Sequence, residues 1–328
     1  MGKNLPFLDV QYVYNTACNL AKEAKYCVVP NHAVLKADFE KIRMACDIFK
    51  RNNLQVKILG GNPADDIDFP KLISYLNEID LTYVITDNSF NVDKLISLKT
   101  KGVMFSLDTL EKNDIGGCSF IKSMKAKEAI IKHCRDFEYI GANITLNSMN
   151  IDEVGEIVKF LTEHNAIANI CPMIIGKNAD FKYRAGESKY SLDYISSEKI
   201  VAVSEMLLDM KRSGYKIGCP EEYLINLPNA IQYGRYNWSC NDIDTIPVMR
   251  LSPDLKIMIC SDIMGELVSK YSVFDIEDNF DVVNRAWIMD GQRLKCCLKY
   301  GCYWSNVFIA DVYRKKGLGT IEATRMNL

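Results

Sequence analysis

Six short apolar segments alternate with helical patterns through the first two thirds of this chain, and that alternation limits the fold more than any other feature. The segments are Leu8–Tyr14, Gln55–Leu59, Thr82–Thr86, Gly102–Leu107, Tyr139–Leu146 and Ala168–Ile174. They are rich in β-branched and aromatic residues, as strands of a sheet covered on both faces are. Between them, Phe39, Ile42, Cys46 and Phe49 share one helical face, and Val154, Ile157, Val158 and Leu161 follow the i, i+3, i+4, i+7 rule. Asn150 or Asp152 is placed to cap the second of these helices, with Glu153 and Glu156 near its positive end. Ile200, Val203, Met206, Leu207 and Met210 predict a further amphipathic helix that stops at Gly214. Six β-α units in series predict an α/β fold, with a parallel sheet and its helices outside. Periodicity alone does not separate a doubly wound sheet from a barrel. Lys177 to Tyr194 is polar and aromatic, and reads as a long loop over the sheet mouth. After about residue 217 the pattern changes to short strands such as Ile257–Cys260, a Pro253-Asp254 turn and closely grouped cysteines. The expected division is therefore 1–216 and 217–328.

Composition narrows the function classes. The chain has 328 residues, 48% hydrophobic and 25% charged, with a net charge of −2. That balance suits a globular protein and recommends neither nucleic acid nor an anionic membrane as a partner. No apolar run reaches the roughly 18 residues of a membrane span, and no apolar h-region follows the N-terminal charge, so a cytoplasmic location is expected. The three histidines, His32, His133 and His164, form no Ser-His-Asp or His-x-His grouping, so spacing does not support a hydrolase.

Twelve cysteines in such a chain point to metal, cluster or redox use rather than disulfides. Cys18 and Cys27 stand on the loop after the first strand. Two thiolates are too few for an iron–sulfur cluster unless another residue completes the set, and they read equally well as ordinary loop cysteines. Cys240, Cys260, Cys297 and Cys302 make four thiolates, enough for a tetrahedral metal or a [4Fe-4S] cluster, with Cys219 and Cys296 as spares. Isolated cysteines such as Cys46 and Cys134 fit as small hydrophobes. Gly60-Gly61-Asn62-Pro63 after the second strand lets backbone approach a ligand. Ser106 and Asp108 end the fourth strand, and Asn143, Thr145 and Asn147 belong to the fifth. The C-terminal ends of parallel strands are where binding groups of such folds collect.

Taken together, Cys18-Asn-Leu, Lys-Tyr-Cys27 and Gly60-Gly61-Asn62-Pro63 resemble the motifs of radical S-adenosylmethionine (SAM) enzymes. The Leu251-Ser-Pro-Asp-Leu255 turn leading to Cys260 resembles the hairpin of SPASM and twitch auxiliary-cluster domains, with Leu255 where a glycine is usual. The resemblance implies a partial (β/α)6 TIM-like barrel followed by a small cysteine-rich α+β domain. It implies a [4Fe-4S] cluster on the barrel loop with Cys18 and Cys27 as first and third ligands, and SAM bound along Gly60–Pro63 with Asn143 nearby. Ser106 and Asp108 would be the catalytic candidates lining the cavity. A second [4Fe-4S] cluster would sit on Cys240, Cys260, Cys297 and Cys302. The reaction would abstract a hydrogen from a small-molecule or peptide substrate, with electrons from a donor such as flavodoxin or ferredoxin. Two positions depart from the pattern. Ala24 stands in the middle cysteine's place, in a longer loop, and Asn62 replaces a glutamate. A barrel that has lost its cluster and acts as a binding protein is the alternative, and a zinc-stabilised module a third.

Overall fold

The structure, a computed structural model, describes residues 5–16, 36–111, 117–173, 190–233, 245–258, 268–293 and 305–326. Six strands form its centre: β1 (Asp9–Asn15), β2 (Gln55–Gly60), β3 (Tyr83–Thr86), β4 (Gly102–Ser106), β5 (Tyr139–Leu146) and β6 (Ile167–Pro172). Their bounds fall within two residues of the expected ones, and Ile174 lies outside the described residues. Each strand pairs in parallel with the next in sequence. This order settles what periodicity left open. A doubly wound sheet reverses its order at a switch point, and here β1 to β6 run consecutively. Right-handed crossovers then all return on one side, so the sheet is wound as part of a barrel with its helices outside.

The sheet does not stop at the expected boundary of 216/217. β7 (Val248–Leu251) pairs in parallel with the free edge of β1, placing Arg250 beside Gln11. β8 (Lys256–Met258) and β9 (Val268–Ser272) continue it antiparallel, giving nine strands in one sheet. The turn between β7 and β8 puts Leu255 at φ +66°, the left-handed region that a glycine adopts freely. Full burial of the leucine side chain offsets this strain. Cys260 lies outside the described residues, so the expected Ile257–Cys260 strand is seen as far as Met258.

The two faces of the barrel strands differ. Val10, Tyr12, Val56, Ile58, Ile85, Val103, Phe105, Ile140 and Ile144 point outward into the main core. There they meet the apolar faces of α1 (Phe39–Arg51), α2 (Phe69–Glu78) and α5 (Val154–Glu163). The α5 N-terminus differs from expectation. Its N-cap residue is Glu153, whose carboxylate accepts from Thr109 Oγ1 (2.9 Å) and the Leu110 amide (2.8 Å). Asn150 instead donates to the Asp108 and Thr145 carbonyls at 2.9 and 3.0 Å. α3 (Val92–Ser97), α4 (Gly117–His133), α6 (Ser197–Arg212) and α7 (Glu221–Tyr233) complete the barrel's helices, and Gly214 follows the end of α6 at φ +89°. α8 (Ile276–Arg293) and α9 (Ser305–Lys315) follow the added strands. No helix among the described residues is long and apolar enough to cross a membrane.

The inward face carries a second, smaller apolar cluster of Val84, Met104, Tyr139, Ile167 and Ile321. Ile321 belongs to α10 (Thr320–Arg325), a short helix that plugs the N-terminal end of the barrel. Its first amides are satisfied by strand side chains rather than by its own sequence. Asp9 accepts from the Thr320 amide (2.9 Å) and hydroxyl (2.7 Å), and Gln55 accepts from the Ile321 and Glu322 amides at 2.9 and 3.1 Å. Burial pushes the Asp9 carboxyl above the usual carboxylate range, with Lys57 and the Thr320 bonds pulling the other way.

Candidate functional site

At the opposite, open end, β1 and β2 close on each other more tightly than any residue but glycine allows. Gly60 has φ +147°, and a Cβ there would lie 2.3 Å from the Asn15 carbonyl oxygen and 3.0 Å from Asn15 Oδ1. The next amide, Gly61 N–H, donates to that same carbonyl at 3.1 Å. Asn62 is buried and opens a single helical turn, Pro63–Asp65, with its Nδ2 on Asp65 at 3.1 Å. The turn is anchored from three sides. Asp87, at the end of β3, accepts from the Ala64 amide (3.1 Å), Lys94 donates to the Ala64 carbonyl (2.6 Å), and Tyr14 donates to Asp66 (2.9 Å). Lys36 pairs with Asp66 and Asp68 at 2.7 and 2.8 Å. Within this braced loop, Asn15 Oδ1 and Asn62 Oδ1 are buried acceptors with no hydrogen-bond partner among the described residues.

Deeper in the lumen, Ser106, Asn143 and Asn169 lie side by side on β4, β5 and β6. Asn169 donates to Asn143 at 2.9 Å, and the Ser106 amide donates to Asn88 at 2.8 Å. Sequence reasoning singled out the first two and passed over Asn169. Asp108 is placed differently from a free cavity acid. It is 3% exposed, its Oδ1 accepts the Thr145 amide at 2.7 Å, and its own amide donates to Ser123 at 2.8 Å. These bonds brace the top of β4 against β5 and α4. Asn147 likewise spends its side chain on the turn after β5, through Thr145 O and Met149 N. Asp87 and Asn88, which tie β3 to the neighbouring loops, were missed. Their signal was a polar Thr86-Asp87-Asn88 run directly after a strand.

The cysteine ligands expected on the first loop and in the C-terminal part, Cys18, Cys27, Cys240, Cys260, Cys297 and Cys302, lie outside the described residues, as do Ala24, Cys296 and His32. Among the described residues no group of three His, Cys, Asp or Glu could hold a metal ion. Cys219 is buried against β6, its sulfur taking the Ile170 amide at 3.4 Å, and burial pushes its thiol up to about 12. His133 pairs with Asp136 at 2.8 Å, and His164 bonds the Phe160 carbonyl at 2.8 Å, both on helices rather than in the lumen.

No known protein-family profile matches this chain, and no curated protein matches it in sequence. Solved structures do match. Streptococcus suis SuiB bound to S-adenosylmethionine aligns over 90% of this chain and 71% of its own, with a TM-score of 0.64 at 18% identity. Native anSMEcpe with bound AdoMet and Cp18Cys peptide aligns over 90% and 88%, with a TM-score of 0.57 at 14% identity. Both are radical SAM enzymes. This chain has the radical SAM fold. Its sequential parallel strands and outward helices are that fold's partial barrel. The Gly60–Pro63 loop stands at the end of β2.

Proposed function

We propose that this chain is a radical SAM enzyme that binds SAM where β1 and β2 end. The observation that carries the reading is the pair of unpartnered buried acceptors, Asn15 Oδ1 and Asn62 Oδ1, beside the open face of Gly60. A buried acceptor left unpaired costs about 1–3 kcal/mol, and an ammonium brings three donors to relieve it. The α-ammonium of SAM fits this site in donor count. When bound, SAM and a [4Fe-4S] cluster supply a 5′-deoxyadenosyl radical that takes a hydrogen from substrate. The chain's residues bind and position. Gly60 and Gly61 admit the ligand to the backbone, and Asp87 and Lys94 hold the loop in register. Ser106, Asn143 and Asn169 offer neutral polar groups to whatever enters the lumen.

In this reading Cys18 and Cys27 hold the barrel cluster, while Cys240, Cys260, Cys297 and Cys302, in the unit 217–328, hold an auxiliary one. An electron donor such as flavodoxin or ferredoxin would serve the enzyme. The likeness to SuiB bound to precursor peptide SuiA, and to anSMEcpe with a peptide, supports a peptide substrate over a small molecule. The thiols of Cys46, Cys134 and Cys219, in no disulfide among the described residues, fit a reducing, cytoplasmic setting.

A second reading, a barrel that binds SAM without cleaving it, is favoured by Ala24 and Asn62. Alanine cannot ligate iron, and asparagine lacks the charge that would pair with an ammonium. The deciding experiment is 5′-deoxyadenosine formation from SAM after anaerobic reconstitution with iron, sulfide and a strong reductant. Product above a Cys18→Ala control supports the enzyme. SAM binding without product supports the second reading.

A further inference from the structure

Residues 17–35, which carry Cys18 and Cys27, lie outside the described residues, but both of their flanks are described. On the N-terminal flank, Tyr12 and Tyr14 of β1 are buried edge to face, with ring centroids 6.1 Å apart. On the C-terminal flank, Lys36 and Ala37 lead into α1, whose N-cap is Asp38. The two flanks meet on the turn that follows Gly60–Pro63.

Asp66 is the meeting point. Its Oδ1 accepts from the Tyr14 hydroxyl (2.9 Å), the Lys36 ammonium (2.7 Å) and the Asp68 amide (2.8 Å). Lys36 also pairs with Asp68 at 2.8 Å, and its Nζ stands 5.7 Å from the centre of the Tyr14 ring. One residue on, the Ala37 amide donates to the Pro253 carbonyl at 2.9 Å, and the Tyr12 hydroxyl donates to the same oxygen at 3.3 Å. Lys36 therefore stands next to a second anchor, the turn between β7 and β8.

This network is largely out of water. The side chains of Lys36 and Asp66 are 18% and 12% exposed, and Tyr14 is fully buried. A fully exposed Lys–Asp pair fixes little, because water and salt compete for both ends. Desolvation strengthens the attraction here, and it raises the cost of removing one partner. Without the ammonium, Asp68 would still have Lys71 at 3.0 Å. Asp66 would be left with two neutral donors, the Tyr14 hydroxyl and the Asp68 amide.

Asp66 is also the residue that ends the single turn Pro63–Asp65, which Asn62 opens. A ligand held by Asn15 and Asn62 fixes that turn, and the ion pair passes its position on to Lys36. We propose that Lys36 is a positioning residue. Through Asp66 it couples the SAM loop to the chain that leaves the cysteine loop, so that SAM binding and the reactivity of Cys18 and Cys27 depend on each other. Such coupling is reciprocal, so both sides of it are measurable. The proposal rests on reading Gly60–Pro63 as the SAM loop.

The test needs neither iron nor turnover. SAM affinity of the full-length protein is measured by calorimetry. Alkylation of Cys18 and Cys27 by iodoacetamide is followed by mass spectrometry, with and without saturating SAM. In wild type, SAM should slow alkylation of both thiols at least about five-fold. Lys36→Met keeps the alkyl stem and loses the charge. It should bind SAM at least about five-fold more weakly, and saturating SAM should then slow alkylation by less than about two-fold. Lys36→Arg keeps the charge and should restore both. A lysine that only stabilised the fold would lower the melting temperature and leave the protection by saturating SAM intact. Asp68→Asn removes one ion pair and spares the Tyr14–Asp66 bond, so it should fall between wild type and Lys36→Met, and it serves if Lys36→Met does not fold. Full protection in Lys36→Met or in Asp68→Asn overturns the proposal. SAM binding to wild type that leaves alkylation unchanged overturns it too. A wild type that binds no SAM overturns the SAM reading itself and this proposal with it, and the calorimetry alone identifies that case.

Discussion

Replacing Gly60 by alanine tests the site where the fold and the proposed chemistry meet. An alanine at φ +147° occupies a region that only glycine populates freely, at a cost of about 1–3 kcal/mol. Its Cβ would fall 2.3 Å from the Asn15 carbonyl, a backbone atom that cannot swing aside as a long side chain could. The relief available is to part the ends of β1 and β2. That breaks the Gly61 N–H bond to Asn15, worth about 1 kcal/mol net. The sum is about 2–4 kcal/mol. At about 2 °C per kcal/mol, the low end for a chain of this length, the melting temperature should fall by about 4–8 °C. The same parting moves Asn15 Oδ1, so SAM affinity by calorimetry should drop at least ten-fold, by more than lost stability alone explains. A Gly60→Ala protein that melts within about 2 °C of wild type and binds SAM unchanged would refute both the strain argument and the placement of SAM.

Three further outcomes follow from the same geometry. Asn62→Leu removes one unpartnered acceptor along with one bond to Asp65, so stability without ligand should change by no more than about 1 kcal/mol while SAM affinity falls; equal affinity in the two proteins would remove Asn62 from the site. Ala24→Cys should raise bound iron after reconstitution, and iron content unchanged by the added thiol would mean that position 24 is not a ligand slot. Asp9→Asn keeps an acceptor for Thr320 but cannot ionise. Because burial raises the folded carboxyl above its unfolded value of about 3.9, Asp9 contributes stability below that pH and loses it as pH rises through the folded value. The melting temperature of Asp9→Asn relative to wild type should therefore rise from pH 4 toward neutrality, and a flat difference would contradict a raised Asp9.

How much of this was legible in the sequence depends on the range of the interaction that decided it. The six strands were found to within two residues, because strand and helix periodicities are local. The choice between doubly wound sheet and barrel was not, since both are built from the same β-α unit and differ only in which strands pair. The pattern also shifts near residue 217, with short strands and grouped cysteines beyond it. Nothing local reveals that Arg250 lines up with Gln11, a pairing made across most of the chain. Leu255 shows the opposite case. Comparison with a motif that usually has glycine there marked the position, and its φ of +66° gives the physical reason that glycine suits it.

The site residues divide the same way. Ser106 was singled out at the end of β4 and Asn143 as a polar residue within β5, and Asn169 completes their row. Asp108 was singled out by its place beyond the end of β4, yet its carboxylate is drawn into the backbone of β5. A strand-end acid beside a free amide has two uses, and sequence does not say which one the fold takes. Gln11, Lys57 and Arg250 were missed although each stands as a lone polar residue inside an apolar strand: Val10-Gln11-Tyr12, Val56-Lys57-Ile58 and Met249-Arg250-Leu251. In a parallel sheet both faces are covered, so a single polar side chain in such a run must turn toward either the helices or the lumen. A charge turned toward the helices would be buried in the main core without a counter-ion, at a cost of several kcal/mol. In a barrel, then, an isolated charge in an apolar strand points to the lumen, as Lys57 and Arg250 do in register with the neutral Gln11 across β2, β1 and β7.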